Sequence, residues 1–537
     1  MAVSRTNALF AVRNVARHGD TDVFPYPLEN HWFHDADEAV ADLLMKLDSD
    51  FEGWLKSYPL SYTTGLSSVG YNGFRAATQI DPIWNAYLLS LLLEIGSDIE
   101  KARVGVEKGI VFSYRFQPSP ENLTLFNKDV GWYLFQRTAL ERAASAEFVV
   151  STDISDFYSR IYHHRLENAL KQATKNGEVV NRIMEISKRL SIGETSYGLP
   201  VGGQGSRILA ELLLNRTDRL LLASGIKFCR FVDDYYLFAK NVGDAQATLV
   251  QLSEILLTNE GLTLSRAKTR ILSKSEFLRS SPIAAVDETG ESDEAMVREF
   301  LDFRLAFDPY SPTADTDYAL LKEQLEHFDI TGMLARELRK SRVDEGLTRH
   351  LIRAVRHLQP QLRDACVSSI MRNLNLLYPI FPSVAILLHQ VLQDLSDETR
   401  DEVFGTIRAL INDRSHILLV PANLSFAIRI LAYDRAEETD ALLIEVYERP
   451  RTNMMVKRDV LLAMTRRRVD YWLSAQLKQF ALATPWERRA LIVASYILSD
   501  EGQHWRRRAR PSLPDADALF MQWVGDKNSG QSWELPL

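Results

Sequence analysis

Strands and helices alternate through the first half of the chain and helices alone fill the second, so the sequence predicts an α+β layer followed by an all-α helical-repeat region. Three observations carry that expectation. Strand and helix periodicities mix between Glu147 and Leu272, a polar acidic stretch without periodicity runs from Ser280 to Ala295, and amphipathic helix-length segments follow to about residue 500. A chain of 537 residues also exceeds what one hydrophobic core organises, which fits several domains.

To about residue 82 the chain is rich in Gly, Pro, Tyr and Ser, as in TDVFPYPLENHWF and SYPLSYTTGLSSVGYNGFRAATQIDP, and reads as extended segments and loops with aromatic anchors. From Pro82, PIWNAYLLSLLLEIGSDIEKAR has helical period, with Asp81 as cap and Pro82 in the first turn, where its missing N–H has no intrahelical partner to lose. EFVVSTD predicts a strand ending at Asp153, SDFYSRIYHHRLENALKQA a helix, GETSYGLPVGGQG a turn-rich stretch, and SRILAELLLNRTDRLLLAS another helix. Paired strands around Asp233, a helix from about Asp244 to Asn259 and two short strands, LTL and TRIL, complete an antiparallel sheet of split-βαβ type with helices on one face. Residues 281–295 form an acidic linker that divides 1–280 from 296–537. In the second part TPWERRALIVASYIL starts a well-marked helix: Thr484 caps it, Pro485 takes the first position and Glu487 completes a capping box. A train of helices without strands predicts a stacked, HEAT-like α-solenoid, although no strict period is visible.

The composition, 46% hydrophobic and 25% charged, is that of a globular chain. No uninterrupted apolar run reaches ~18 residues and the N-terminus lacks the charged-then-apolar form of a signal peptide, so a cytoplasmic protein without a membrane partner is expected. Cys229 and Cys366 are the only cysteines, which excludes a disulfide framework and a cysteine-based zinc site. With 63 basic and 71 acidic residues the net charge is −8, so nucleic acid would have to be held by local basic patches rather than by the overall field.

KFCRFVDDYYLFAK sets Asp233 beside Asp234 in a run that otherwise reads as buried strand. Two ionised groups about 4 Å apart repel by roughly 4 kcal/mol at an effective dielectric near 20, and desolvation adds to that. If the strand ending at Asp153 is a neighbour, three carboxylates converge at one sheet edge. Such a cluster is tolerable around divalent cations, because Mg²⁺ takes a few carboxylates together with phosphate oxygens. Two ions roughly 3.5–4 Å apart activate a hydroxyl and stabilise the leaving pyrophosphate of an in-line displacement. Each signal has an ordinary alternative: VDD as a solvated turn, DISDFY as a strand-to-helix cap, GLPVGGQGS as a flexible loop lacking G-x-G-x-x-G spacing. Their order along the chain is what argues for one site.

TDISDFY, GLPVGGQGSRILAELLL, RFVDDYYLF and EGLTLSRAKT resemble motifs A, B, C and D of reverse-transcriptase fingers and palm. With SR in motif B, VDD in motif C and VFSYRF upstream, they most resemble the bacterial abortive-infection and related defence-associated reverse transcriptases. The resemblance covers residues 20 to 280 by motif and extends, less specifically, over the helical remainder. It implies fingers and palm, then a HEAT-like domain, in a Mg²⁺-dependent nucleotidyltransferase with Mn²⁺ as a substitute ion. Asp153 and Asp233 would hold two metals with help from the Ile154 carbonyl, and Asp234 would complete the acidic patch. Tyr158 would lie under the sugar and exclude a 2′-hydroxyl, the alternative being a helix-packing aromatic. Gly202 would lie along the incoming nucleotide, with Ser206 and Arg207 starting the helix behind it. Lys268 and Arg115 would reach the triphosphate, and Arg75 is a further substrate-binding candidate; for both arginines an ordinary ion pair is the competing role.

The partners implied are dNTPs, a DNA product that can be covalently attached to the protein, an associated non-coding RNA as one template source, and further copies of the chain. Two departures from the family pattern bear on this. Val201 stands where templated enzymes commonly have Gln, which sets template-independent synthesis beside copying of an associated RNA, and no thumb-like segment separates motif D from the linker. Protein priming is known among abortive-infection members; Tyr26, Tyr58, Tyr62 and Tyr71 are candidates here, with packing aromatics as the alternative and no means of choosing. A catalytically degenerate RNA- or protein-binding scaffold is the competing function, opposed by the presence of all three carboxylates and Lys268. His163 and His164 have no second ligand set at zinc spacing. The runs Arg466–Arg468 and Arg506–Arg508 read as solvated helix ends, with strand guidance as the alternative.

Overall fold

The computed structural model, which describes residues 2–19, 26–191, 195–280, 300–301, 328–529 and 533–537, opens with helices where composition predicts loops. These are α1 (Arg5–His18), α2 (Pro27–Asp35), α3 (Asp37–Ser49) and α4 (Phe51–Ser57). Ser4 caps α1 by accepting from the Asn7 N–H, and Ala8, Ala11, Val12 and Val15 bury one face at helical spacing. Most of the loop-forming residues that dominate the composition lie between and after these helices; Pro27 sits in the first turn of α2 and Gly53 in that of α4. Extended structure begins only at β1 (Tyr62–Val69) and β2 (Gly73–Ile80), which pair with each other.

Helix α5 (Pro82–Ala102) starts as its sequence predicts, the Asp81 carboxylate accepting from the Ile83 N–H at 3.1 Å. The short strands β3 (Phe116–Ser119) and β4 (Thr124–Phe126) pair antiparallel and lead into α6 (Trp132–Ala143). Then come β5 (Phe148–Asp153), α7 (Phe157–Arg160), α8 (His163–Ala173), α9 (Gly177–Arg189), α10 (Gln204–Ala223), β6 (Phe228–Phe231), β7 (Asp234–Ala239), α11 (Val242–Glu260), β8 (Arg270–Ser273) and α12 (Lys274–Ser280). The helix expected after β5 is thus two helices, broken where Ile161 is extended (φ −62, ψ 116) and Tyr162 bridges to Tyr197. Helix α9, capped by Asn176, was not anticipated, and LTL contributes only an isolated bridge between Leu264 and Ile154.

The four-stranded sheet has order β6-β7-β5-β8, antiparallel throughout. Helices cover both faces rather than the one expected. Val149, Cys229 and Phe238 pack with Phe135 and Ala139 of α6 and Phe277 of α12. Side chains alternate along a strand, so Val150 and Leu237, also fully buried, face the other way, and α11 packs on β5 and β7. Helix α10 approaches α5 so closely that a Cβ on Gly205 would sit 2.8 Å from Leu92 Cδ1.

The chain divides into two compact units that are not consecutive blocks. One takes in Met1–Tyr62, Thr78–Glu288 and Pro514–Leu519; the other takes in Thr63–Ala77, Thr289–Leu513 and Phe520–Leu537. The expected linker, residues 281–295, lies outside the described residues. In the second unit a series of helices stacks each on the next, skipping the intervening ones: Glu345–Val355, Phe381–Val391, Pro421–Leu431, Met454–Arg467 and Pro485–Ile497. The Thr484–Glu487 capping box forms as predicted. Between consecutive stacked helices, Asp459 is fully buried, held by Arg429 Nε at 2.9 Å, Arg458 Nη2 at 2.6 Å and the Ser425 hydroxyl. The hairpin residues of this unit are tied into it: Asn453 Nδ2 donates to Thr63 Oγ1 at 2.8 Å, the Tyr71 hydroxyl donates to the Leu376 carbonyl at 2.8 Å, and the Val343 N–H donates to that hydroxyl at 3.0 Å. Among the described residues one stretch, Leu374–Asp394, is long and apolar enough to cross a membrane, and its Leu377, Ile380, Phe381, Val384 and Leu388 are buried among the helices of this unit.

Candidate active site

The register of the sheet brings the three carboxylates together. Asp153, last residue of β5, lies opposite Asp234, first residue of β7, and Asp233 sits in the turn joining β6 to β7. Backbone bonds lock the arrangement: Ile154 N–H donates to the Asp233 carbonyl at 3.2 Å and Ser265 N–H to the Asp153 carbonyl at 2.7 Å. Val232, in the same turn, has φ +55. A β-branched residue in the left-handed region costs on the order of 1–3 kcal/mol and persists only where its surroundings hold it.

Burial and mutual repulsion dominate the electrostatics. The Asp233 carboxyl is pushed up to about 7 by desolvation, then by Asp153 and Asp234. That of Asp234 is pushed up to about 6 by desolvation and Asp153, against the pull of Lys268. Lys268 Nζ makes an ion pair with Asp153 Oδ2 while the rest of its side chain stays largely exposed, and that hydrogen bond raises the ammonium above its ordinary value. Among the described residues no three acidic, histidine or cysteine side chains already stand in metal-binding geometry; one oxygen of Asp153 is occupied by Lys268. The donor chemistry nevertheless fits a hard divalent cation: oxygen ligands only, on adjoining strand ends, with more negative charge than one ammonium neutralises.

Tyr158 on α7 joins this group. Its hydroxyl is held well above the usual phenol range by burial and by the fields of Tyr114, Glu211 and Asp233, opposed by Arg207. Gly202 has φ +138, a conformation that favours glycine, in the turn leading to α10. Ser206 is buried in the first turn of that helix and Arg207 lies 5.2 Å over the Tyr114 ring. The carbonyl of Val201 accepts from the Thr78 N–H at 2.9 Å.

Residues 91–290 match the family model described as reverse transcriptase (RNA-dependent DNA polymerase). This segment is a reverse transcriptase domain. It contains the three carboxylates, Tyr158, Gly202 and Lys268, and a domain of this kind is a nucleotidyltransferase polymerase. Among solved structures, the chain is similar to telomerase from Candida albicans in complex with a TWJ fragment of telomeric RNA, at 12% identity and TM-score 0.30 over 76% of this chain and 70% of that one. It is also similar to apo telomerase from Candida tropicalis, at 11% identity and TM-score 0.29 over 75% and 74%. Likenesses at that level carry no argument about function. No curated protein sequence matches the chain.

Of two further expected substrate residues, one is otherwise engaged and one belongs to the second unit. Arg115 is 3% exposed, paired with Glu100 and donating to the Val104 carbonyl at 2.9 Å, so it takes the ion-pair role rather than reaching for a triphosphate. Arg75 is exposed on β2, in a segment belonging to the second unit. The four candidate priming tyrosines are engaged in packing. Tyr26 and Tyr58 are each 1% exposed, Tyr62 donates to the Ser191 carbonyl at 3.4 Å, and Tyr71 is bonded as described above. His163 is buried with Nε2 2.7 Å from the Gly198 carbonyl. The Arg466–Arg468 run ends a helix but is only partly solvated: Arg466 stacks on Tyr433 and Arg467 pairs with Asp440, while Arg468 is exposed.

Sequence reading missed a cluster directly behind the Asp233 turn. Arg230 of β6 is fully buried and bonded to Glu211 and Asp218 of α10, with Arg103 and Ser113 joining Glu211. The signal was available. Glu211 and Asp218 are single acids seven residues apart on an apolar helix face, and Arg230 is a lone cation in a buried strand.

Proposed function

We propose that the protein is a Mg²⁺-dependent DNA polymerase of reverse-transcriptase type acting in antiphage defence. The observation that carries the enzymatic part is the convergence of Asp153, Asp233 and Asp234 at one sheet edge, their repulsion only partly relieved by Lys268. Asp153 and Asp233, with the Ile154 carbonyl, would hold the ions. Two bound divalent cations would supply an activated hydroxyl nucleophile and neutralise the departing pyrophosphate. The protein's own residues then divide the work. Lys268 moves from Asp153 to the triphosphate, the Tyr158 ring bars the 2′-hydroxyl, and the Gly202 backbone gives the nucleotide close approach.

The defence role rests on the resemblance of the motif variants, and so does initiation from a protein hydroxyl, which the lack of a thumb-like segment and of the motif-B Gln also supports. On this reading the protein is a cytoplasmic homo-oligomer whose second unit is a HEAT-like scaffold.

The test is incorporation of labelled dNTPs with Mg²⁺ by purified protein, before and after nuclease treatment. Synthesis lost in Asp233→Ala supports the polymerase, and synthesis lost on nuclease treatment assigns a copied RNA. Label migrating with the denatured polypeptide and released by protease supports priming from the protein. Clean wild-type protein that incorporates nothing leaves the scaffold reading in place.

A further inference from the structure

We infer that Ser113 and Arg230, backed by Glu211 and Asp218, are positioning residues that clamp the Val232 peptide groups and so fix Asp233 where a cation must find it. The inference rests on the polymerase reading above. Val232 occupies a backbone region that its own side chain disfavours, so the turn must be imposed from outside. Both of its polar backbone atoms are held by side chains, one from the segment before β3 and one from the strand that enters the turn. The N–H donates to Ser113 Oγ at 2.9 Å, and the carbonyl accepts from Arg230 Nη1 at 2.7 Å.

The two clamping groups are themselves fixed. Arg230 donates to Asp218 through Nε at 2.9 Å and Nη2 at 2.7 Å, and to Glu211 through Nη1 at 3.2 Å and Nη2 at 3.1 Å. The Ser113 hydroxyl donates to Glu211 Oε1 at 2.5 Å. Arg103 closes the cluster, reaching Glu211 Oε2 at 2.6 Å and the Ser113 carbonyl at 2.8 Å. Two guanidinium groups face two carboxylates, so the cluster adds no net charge to the site. Ser113 and Arg230 are 0% exposed and Glu211 and Asp218 are 1% exposed, so water does not compete for these bonds. With its charges balanced and its donors directed at one turn, the cluster acts on the site through geometry.

Ser113→Ala in the full-length protein tests this, because it deletes one arm of the clamp and leaves the Arg230 ion pairs intact. Ser113→Thr is the conservative control. The readouts are dNTP incorporation against Mg²⁺ concentration, Mn²⁺ binding followed by electron paramagnetic resonance, and thermal unfolding. In Ser113→Ala we expect kcat to fall about 10- to 100-fold with KM for dNTP within about threefold. Mn²⁺ affinity should weaken, the unfolding midpoint should fall by only a few degrees for the lost buried hydrogen bonds, and Ser113→Thr should restore both metal affinity and rate. A folded Ser113→Ala protein with wild-type metal affinity and rate overturns the inference while the polymerase reading stands. Loss that tracks loss of folded protein in both variants likewise reduces the cluster to a stabilising one. Wild-type protein inactive with Mg²⁺ removes the polymerase reading and the inference with it.

Discussion

Asp459 in the helical unit and Asp233 in the reverse transcriptase domain are both aspartates withdrawn from water, and they titrate in opposite directions. Asp459 is the more deeply buried, which alone would raise it, yet Arg429 and Arg458 hold its carboxyl below the ordinary range. Asp233 is only half-buried but is pushed up to about 7, because desolvation is compounded by two further carboxylates and, among the described residues, no guanidinium is paired with it. Depth alone does not decide in which direction a buried acid shifts. The completeness of its counter-charge does.

The most severe way to break this comparison is to delete each group. Asp233→Ala should lower incorporation by about a thousandfold or more without lowering the unfolding midpoint, since the burial cost and repulsion removed outweigh the hydrogen bonds lost. Asp459→Ala should do the reverse. It leaves two buried guanidinium groups uncompensated and should destabilise the second unit by about 3–5 kcal/mol, read as early amide exchange in Met454–Arg467. If Asp459→Ala melts like the wild type, the distinction fails.

A gentler test uses pH, in chelator. The folded pKa of Asp233 lies above the ordinary value near 4, so between pH ~4 and ~7 the native state binds more protons than the unfolded chain and loses stability as pH rises. Asp233→Asn should therefore stabilise the protein by about 1–3 kcal/mol above pH 7 and by nothing near pH 4. Asp459, whose pKa is depressed, has the opposite signature: its contribution is complete above pH ~4 and is lost as pH falls through the folded value. Denaturation midpoints of Asp233→Asn that run parallel to wild type across this range would refute the assignment. Tyr158→Ala should reduce the preference for dNTP over rNTP by about tenfold or more, scored by competing the two in one reaction; unchanged preference returns Tyr158 to packing. At the mild end, Thr484→Ala should cost about 1 kcal/mol from the loss of the capping box, measured by thermal unfolding.

Features with a local cause were legible in the sequence. The Asp81–Pro82 start of α5 and the Thr484–Glu487 box need only neighbouring residues, and the strands carrying Asp153 and Asp233 alternate strongly enough to place their ends. Helices α1 to α4 were missed because the Gly and Pro between them outweighed a sound helical period within them. Arg115 was misplaced because sequence gives a residue's position near a site but not the direction of its side chain, and Glu100 on α5 claims it first. The Arg230 cluster was only half legible: its single buried-face charges show in the sequence, but its members lie just after α5, on α10 and β6 and in the segment before β3, and only the fold reveals that their charges cancel.

The division of the chain into interleaved units bears on how it can be dissected. Thr63–Ala77 belongs to the helical unit through Asn453, Leu376 and Val343, although the chain on either side of it belongs to the first. A protease nick after residue 280 therefore leaves a fragment whose hairpin remains hydrogen-bonded to the other fragment. The halves should copurify, and a recombinant 296–537 piece lacks a part of its own structure. Fragments for study have to carry the hairpin across.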